Sequence, residues 1–519
     1  MRLLSLALVV VFGFSGCRDT HTFGDGLDPR ERIVVLFPQA VRGQLDPRLN
    51  TRAWPGKIIH LVFEGVVSVH NETLTPKPAL AAEIHQPSPE VYEISLRPEA
   101  HFHDGTPVLA DDVLATYQSV RIPGLRSPFR SLYDRISKME KLGPRRIRLT
   151  LDAPHAPFIS DLSLGILPAR IIGTDGRLTD DPIGAGPYRI RARTGEQEVV
   201  LERFVDYWRG TPKTPHLVFK TVRDENTRLL ALLSGAADLV QNSVTPRLAD
   251  AMRTRPGLTV VKRPGVGYSY LALNLRNSVL KNRSVRQAIA HGIDRNRLLK
   301  HKFRGVARLA TGMLPGGHWA YIAPSARYPY DPKRAMELLD RAGFPDPPGP
   351  QPRFSLSFKT TTDKFRRNLV GLMAADLERI GINIEVQSLE LGTLLADAKS
   401  GHFELYTLQW GDPSEPHLYN WIFHSDRIPT PEAPNRGGNR GAFENSRVDT
   451  LIDRGRITTG RAERAALYGE LQEILAQELP YISLWHDDVV AIYRSGLEGY
   501  TPLPNASVFQ LWKTRWAAP

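Results

Sequence analysis

Apolar and polar positions along the 519-residue chain follow two periods that take turns from end to end. Runs that are wholly apolar or alternate every second residue predict strands, and runs that repeat at three and four predict amphipathic helices. ERIVVLF (31–37) is a buried-strand pattern, and EVYEISLR (90–97) alternates as a half-buried strand does. After a turn at Asp46-Pro47, GKIIHLVFEGVVSV (56–69) starts with helical spacing and becomes extended. In HFHDGTPVLADDVLATYQSV (101–120), Asp104-Gly105 is a turn signal. Asp111 and Asp112 then fall in the first turn of a helix, where negative charge suits the dipole. NTRLLALLSGAADLV (226–240) predicts a helix stopped at Gly235 and a short strand.

The second half reads the same way. Ser284 and Gln287 are spaced as a capping box, with Val285, Ile289 and Gly292 on one face of the helix that follows. Asp294 caps a short helix, and Asp331-Pro332 opens another whose stripe is Ala335, Leu338, Leu339 and Ala342, ended by Gly343. Residues 365–380 form an amphipathic helix stopped at Gly381, followed by a strand in 382–389. Further strands are predicted at 405–410 and 489–493, with a long helix over 461–479. Two loop-rich stretches interrupt this order: the Pro-rich 344–352 and the basic 427–441. Strands and helices alternating in this way predict an α/β architecture.

The start of the chain is different in kind. Met1-Arg2 precedes an almost wholly apolar run over 3–14, too short to span a bilayer, which needs about 20 residues. It has the form of a secretory signal, and Ser15-Gly16-Cys17 at its end resembles the lipobox of bacterial lipoproteins. Cys17 is the one cysteine of the chain, so an internal disulfide framework is excluded. The expectation is an exported protein tethered by lipid at Cys17, with residues 1–17 as the signal. Net charge is +12, which is read as a solvated basic surface; attraction to anionic headgroups beside the tether is the next reading. Nucleic acid is excluded for want of a binding motif.

Several segments, taken in order, resemble the family-5 extracellular solute-binding proteins of ABC importers, which bind oligopeptides, dipeptides or nickel. They are FHDGTPVLADDVLATYQSV, GAGPYRI, ALLSGAADLV, LNLRNSVLKNRSVRQAIAHGIDRNRLL, YDPKRAMELLDRAGF, WGDPSEPHLYNWIFHS and FENSRVDTLID, spread over nearly all of the chain after residue 17. The resemblance implies a class II periplasmic-binding-protein-like fold, with two hinged lobes, three subdomains and a ligand cleft between the lobes. Lobe 1 would take 18–60, 182–270 and 489–519; a smaller subdomain, 61–181, would be inserted in it, and lobe 2 would run over 271–488. The implied function is capture of peptides, without catalysis or a cofactor, and their delivery to permease subunits of the membrane. The protein would act as a monomer on the periplasmic or cell-surface side.

In LQWGDPSEPHLYNW, Asp412 matches an acidic position that peptide-binding relatives use to pair with the ligand's α-amino group, and Trp410 would supply an apolar wall. Asp412-Pro413 is equally the form of a structural turn, and both readings stand. Tyr268 and Tyr270 share one face of a strand where the chain crosses between lobes; they either line the cleft or pack ordinarily. Other cargo on the same scaffold is the alternative: a nickel chelate, haem, an oligosaccharide or a small acid. A zinc hydrolase would use His101, His103 and Asp104, but a catalytic zinc needs three protein ligands and no clear third is present.

Overall fold

The computed structural model describes residues 26–518; the apolar leader and Cys17 lie outside the described residues. Two large sheets form the cores of two lobes. The first has seven strands, in the order Leu258–Arg263, Val489–Arg494, Leu239–Gln241, Arg32–Phe37, His216–Thr221, Glu198–Arg203 and Tyr188–Thr194. Arg32–Phe37 sits inside this sheet, parallel to both neighbours. Its alternate residues feed two cores: Ile33, Val35 and Phe37 enter one, Val34 and Leu36 the other. A strand covered on both faces has no reason to place polar residues at every second position, which is why the strand is wholly apolar after Arg32.

The second sheet has six strands, in the order Ala307–Leu309, Tyr481–Asp487, Tyr268–Leu273, Leu405–Trp410, Phe354–Thr361 and Ile382–Leu389. It too lies between two cores, with Leu271 and Leu273 on one side and Tyr268, Tyr270 and Ala272 on the other. A third, antiparallel sheet of four strands, with the helix Ala110–Arg121, makes the inserted subdomain and has its own core.

The chain crosses between the lobes twice, and the crossings lie side by side. Residues 264–267 join Leu258–Arg263 to Tyr268–Leu273, and Asp488 joins Tyr481–Asp487 to Val489–Arg494. The flanking strands pair antiparallel in each lobe, and Asp487 N–H donates to the Gly267 carbonyl at 3.1 Å. Such a paired two-strand connection is a natural hinge.

The structure moves three expected boundaries. Tyr268 already pairs with Trp410 and His486, so the crossing precedes the expected 270/271 limit; at Gly265 one crossing touches the backbone of the other. The helix Ala53–Val62 runs past the expected limit at 60, because Leu61, Val62 and Phe63 all pack into the core of lobe 1. The cap of the helix Arg283–Gly292 is Asn282, not Ser284: its side chain accepts from Ser284 N–H at 2.9 Å. The other caps fall where the sequence places them, with Asp294 and Asp331 accepting from the amides of Arg297 and Arg334.

The glycines of GAGPYRI are explained by crowding where the chain returns from the insertion. A Cβ on Gly184 would lie 2.0 Å from the Val62 carbonyl oxygen, and one on Gly186 would lie 2.5 Å from that of Leu61.

Candidate functional site

A cavity of about 820 Å³ lies between the lobes. The hinge forms its floor through Gly265, Gly267, Asp487 and Val489. Lobe 1 contributes one face of the helix Ala53–Val62 and the tail 504–507. The inserted subdomain adds Phe129, Leu132 and Asp161, and lobe 2 adds Gln409, Gly411 and Asp412. This size suits a drug-sized or small peptide ligand, and a site between domains is the usual place for one.

Asp412 follows the last residues of the strand Leu405–Trp410, so a rigid sheet aims it into the cavity. It is exposed to the cleft while protein surrounds it on several sides. That thin hydration pushes its carboxyl above the usual range, against hydrogen bonds from Ser414 and Asn505 and the charge of Lys57. A carboxylate in this setting gains much from an incoming cation.

Opposite it, Lys57 lies one turn into the helix Ala53–Val62. Burial brings its ammonium down to about 8, with Asp412 opposing the change. Its Nζ donates to the carbonyl of Ala506. His60, one turn further on, packs its ring against that of His70 at 3.8 Å. Burial lowers both, His60 to about 4 with help from Lys57, so both rings are neutral at ordinary pH. At the floor, burial raises Asp487 to about 7, and the side-chain amide of Gln409, on the other side of the strand Tyr268–Leu273, donates to it.

The three aromatic side chains singled out from the sequence lie elsewhere. Tyr268 and Tyr270 do share a face, but it is the face turned into the body of lobe 2. Both are almost fully buried, Tyr270 stacks on Tyr481 at 4.3 Å, and the Tyr268 hydroxyl meets Ser483 Oγ at 2.8 Å. The reason is the fully covered sheet: every second residue of this strand belongs to one core or the other. Tyr268 lines a separate cavity of about 260 Å³ inside lobe 2. Trp410 is half-buried, stacks on Tyr270 with ring centroids at 6.2 Å, and is not part of the interlobe cavity wall. Of these residues, then, the structure brings Asp412 alone to the cleft. His101 and His103 do not converge with Asp104 on a metal site, and no cluster of three metal-binding side chains occurs among the described residues. His103 instead spends its ring nitrogens on the backbone of Gly184 and Gly186.

Sequence reading missed Lys57, His60, Asp161, Asp487 and Asn505, all in the cavity wall. A signal existed for the first two. Within WPGKIIHLVF the two polar residues stand three apart, so they share the one face of the helix that a core cannot want.

Two covered sheets, a paired hinge and a walled cleft define a two-lobed solute-binding protein. Residues 75–429 match the model described as bacterial extracellular solute-binding proteins, family 5 Middle, and the chain belongs to that family. Among curated proteins it is 29% identical over 516 residues to di/tripeptide-binding protein 2 of Pseudomonas aeruginosa, covering 93% of this chain and 94% of that one. It is 27% identical to the glutathione-binding protein GsiB of Pectobacterium atrosepticum, over 80% of each chain. Among solved structures, DppA of Helicobacter pylori in complex with the peptide STSA matches with a TM-score of 0.79 at 25% identity, covering 94% of this chain and 99% of that one. NikZ of Campylobacter jejuni in complex with Ni(L-His) shares the fold, with a TM-score of 0.81 at 24% identity, over 94% of this chain and all of the other. The relatives are binding proteins of ABC transporters, and this chain is a binding protein rather than an enzyme. No helix among the described residues is long and apolar enough to cross a membrane.

Proposed function

We propose that this protein captures short peptides in the interlobe cleft and delivers them to the permease of an ABC importer, moored to the membrane by lipid at Cys17. The observation that carries the cargo assignment is Asp412: an acidic side chain at the end of a sheet strand, opening into a cavity of about 820 Å³ beside the hinge. Its partner would be the free α-ammonium of the peptide. The resulting charge-assisted hydrogen bond contributes roughly 1.5–3 kcal/mol, and closure strengthens it by excluding water. The names of the relatives, a di/tripeptide-binding and a glutathione-binding protein, support small peptide-like cargo. The mooring is supported by the sequence around Cys17.

Calorimetry on Asp412→Ala tests the cargo assignment. Binding of a peptide with a free amine weakens at least tenfold, while an N-acetylated peptide binds wild type and variant alike. Unchanged affinity for the free-amine peptide removes Asp412 from the site. Mass spectrometry of material that co-purifies in the cleft identifies the natural cargo directly.

A second reading is carried by the paired rings of His60 and His70, neutral and in the cavity wall. They suit a chelated transition metal as cargo, with the chelator supplying the remaining ligands. Saturable binding of a nickel–histidine chelate in place of peptide would decide for it.

A further inference from the structure

The cavity inside lobe 2 has a chemistry of its own. It encloses about 260 Å³ and shares no lining residue with the interlobe cavity. Close-packed interiors leave few hollows larger than a water molecule, so one of this size is a rarity. The rings of Tyr268, Tyr419, Phe423 and Tyr481, all buried, wall it together with Met313. Leu309 is also in the wall and is exposed, which places an opening to solvent there. The charged lining is Arg295 and Arg327, with no acidic residue among the described ones. Arg295 Nη1 donates to the Ser483 carbonyl at 2.8 Å and Nη2 to the carbonyl of Tyr328. Burial brings the guanidinium down to about 10, against the effect of Tyr268, so it is charged at ordinary pH.

A guanidinium carries five N–H donors in a fork that matches a carboxylate, and two bonds to backbone oxygens neither exhaust them nor neutralise the charge. Beside it, the Tyr268 hydroxyl and Ser483 Oγ meet at 2.8 Å. Two hydroxyls that share one bond leave one O–H to donate elsewhere. Aromatic walls favour an aromatic guest beyond the area it buries. An apolar cavity of about 150 Å³ takes benzene, so this one has room for a ring with a short acid arm. We infer that the cavity is a second binding site, for a small aromatic carboxylic acid. Its ring lies among the four aromatic side chains and Met313, and its carboxylate takes Arg295 and the spare O–H of the Tyr268–Ser483 pair. The site stands apart from the peptide reading, because no wall residue is common to the two cavities.

Calorimetry with phenylacetate, phenylacetamide and cyclohexylacetate tests this on wild type, Arg295→Gln and Leu309→Trp. Wild type binds phenylacetate saturably, one per chain, at least tenfold more tightly than the amide and more tightly than cyclohexylacetate. Arg295→Gln erases the preference over the amide. Leu309→Trp, which narrows the opening at an exposed position, weakens phenylacetate at least tenfold. Wild type that does not bind phenylacetate, or binds acid and amide alike, overturns the assignment, and equal binding of cyclohexylacetate removes its aromatic part. An Arg295→Gln protein that keeps the preference overturns it as well. Wild-type affinity in Leu309→Trp puts the probe in another site, the interlobe cleft included, and does the same. Where Arg295→Gln does not fold, the comparison of acid with amide on wild type and the Leu309→Trp variant decide.

Discussion

Glu64 is buried where the chain leaves lobe 1 for the inserted subdomain, and three side chains converge on it. Trp208 Nε1 donates at 2.6 Å, Arg209 Nη2 at 2.7 Å and the Tyr207 hydroxyl at 3.2 Å. Burial raises this carboxyl, and the Arg209 charge with the three donors pulls it back. Breaking a buried pair from one side is far worse than removing both partners, because the other charge is stranded. Glu64→Ala is therefore expected to destabilise the protein by about 3 kcal/mol, measured by denaturant unfolding, and Glu64→Gln by clearly less. Equal effects of the two would show that packing rather than charge holds the junction. At this scale the sequence was legible where local chemistry is self-contained. Asp294 and Asp331 are caps because each precedes its own helix. Asp412 can be picked out because it follows a strand, and Lys57 carries only the weak signal of a polar position on an apolar helix; Asp161 and Asn505 carry none, since all four stand far apart in the chain and meet only when the lobes are built. Tyr268 and Tyr270 were placed on one face correctly; which layer that face would meet is not written in a period of two.

Elements were more legible than residues. The strand Leu405–Trp410 and the helices over 364–378 and 461–478 fall where periodicity puts them, because each helix buries one face and must keep its apolar residues in step, and the strand is covered on both faces. The crossings between lobes were harder to bound, since a hinge strand continues the extended pattern of the strands on either side. Glycine marks it instead. A Cβ on Gly265 would lie 2.3 Å from the Asp487 carbonyl oxygen and 3.2 Å from Val489 Cγ2, so one crossing touches the backbone of the other. Gly265→Ala forces them apart, and overpacking of this kind costs about 1–3 kcal/mol. The expected result is a lower melting temperature together with a change in interlobe angle seen by small-angle scattering. A variant with wild-type melting and scattering would mean that the two segments can part freely.

At the scale of the molecule, the inserted subdomain and lobe 2 also touch directly. Ala156 N–H donates to the Arg456 carbonyl at 2.7 Å, and the rings of His155 and His417 meet edge to face at 5.2 Å. Asp161 lies beside this contact. Burial, and then the facing Glu415, push it up to about 8, with Arg135 opposing. His155 is brought down to about 3 by burial and by Arg135, Arg456 and Arg464, so it offers no positive charge in return. A solvated aspartate titrates near 3.9. The closed form thus holds a proton on Asp161 that an open, solvated form loses above about pH 4. The contribution to closure is complete below that value and disappears as pH rises to about 8. Single-molecule energy transfer between the lobes should report less closed protein at pH 8.5 than at pH 5.5, with a flatter profile for Asp161→Asn; the residual slope belongs to Asp487 and Lys57, which burial brings to about 7 and about 8. A profile identical in the two proteins would mean that Asp161 is solvated in the closed form too.

The order of strands in the first sheet has a bearing on how the protein is made. Val489–Arg494 lies between Leu258–Arg263 and Leu239–Gln241, and the tail 504–507 walls the cavity. Lobe 1 is begun first on the ribosome but cannot close its sheet until residue 494 has emerged. Lobe 2 has all six of its strands by residue 487 and can condense while its partner still waits with an open slot. The chamber for cargo is therefore the last part of the molecule to exist, so a nascent chain has no binding site to occupy before its synthesis is nearly done.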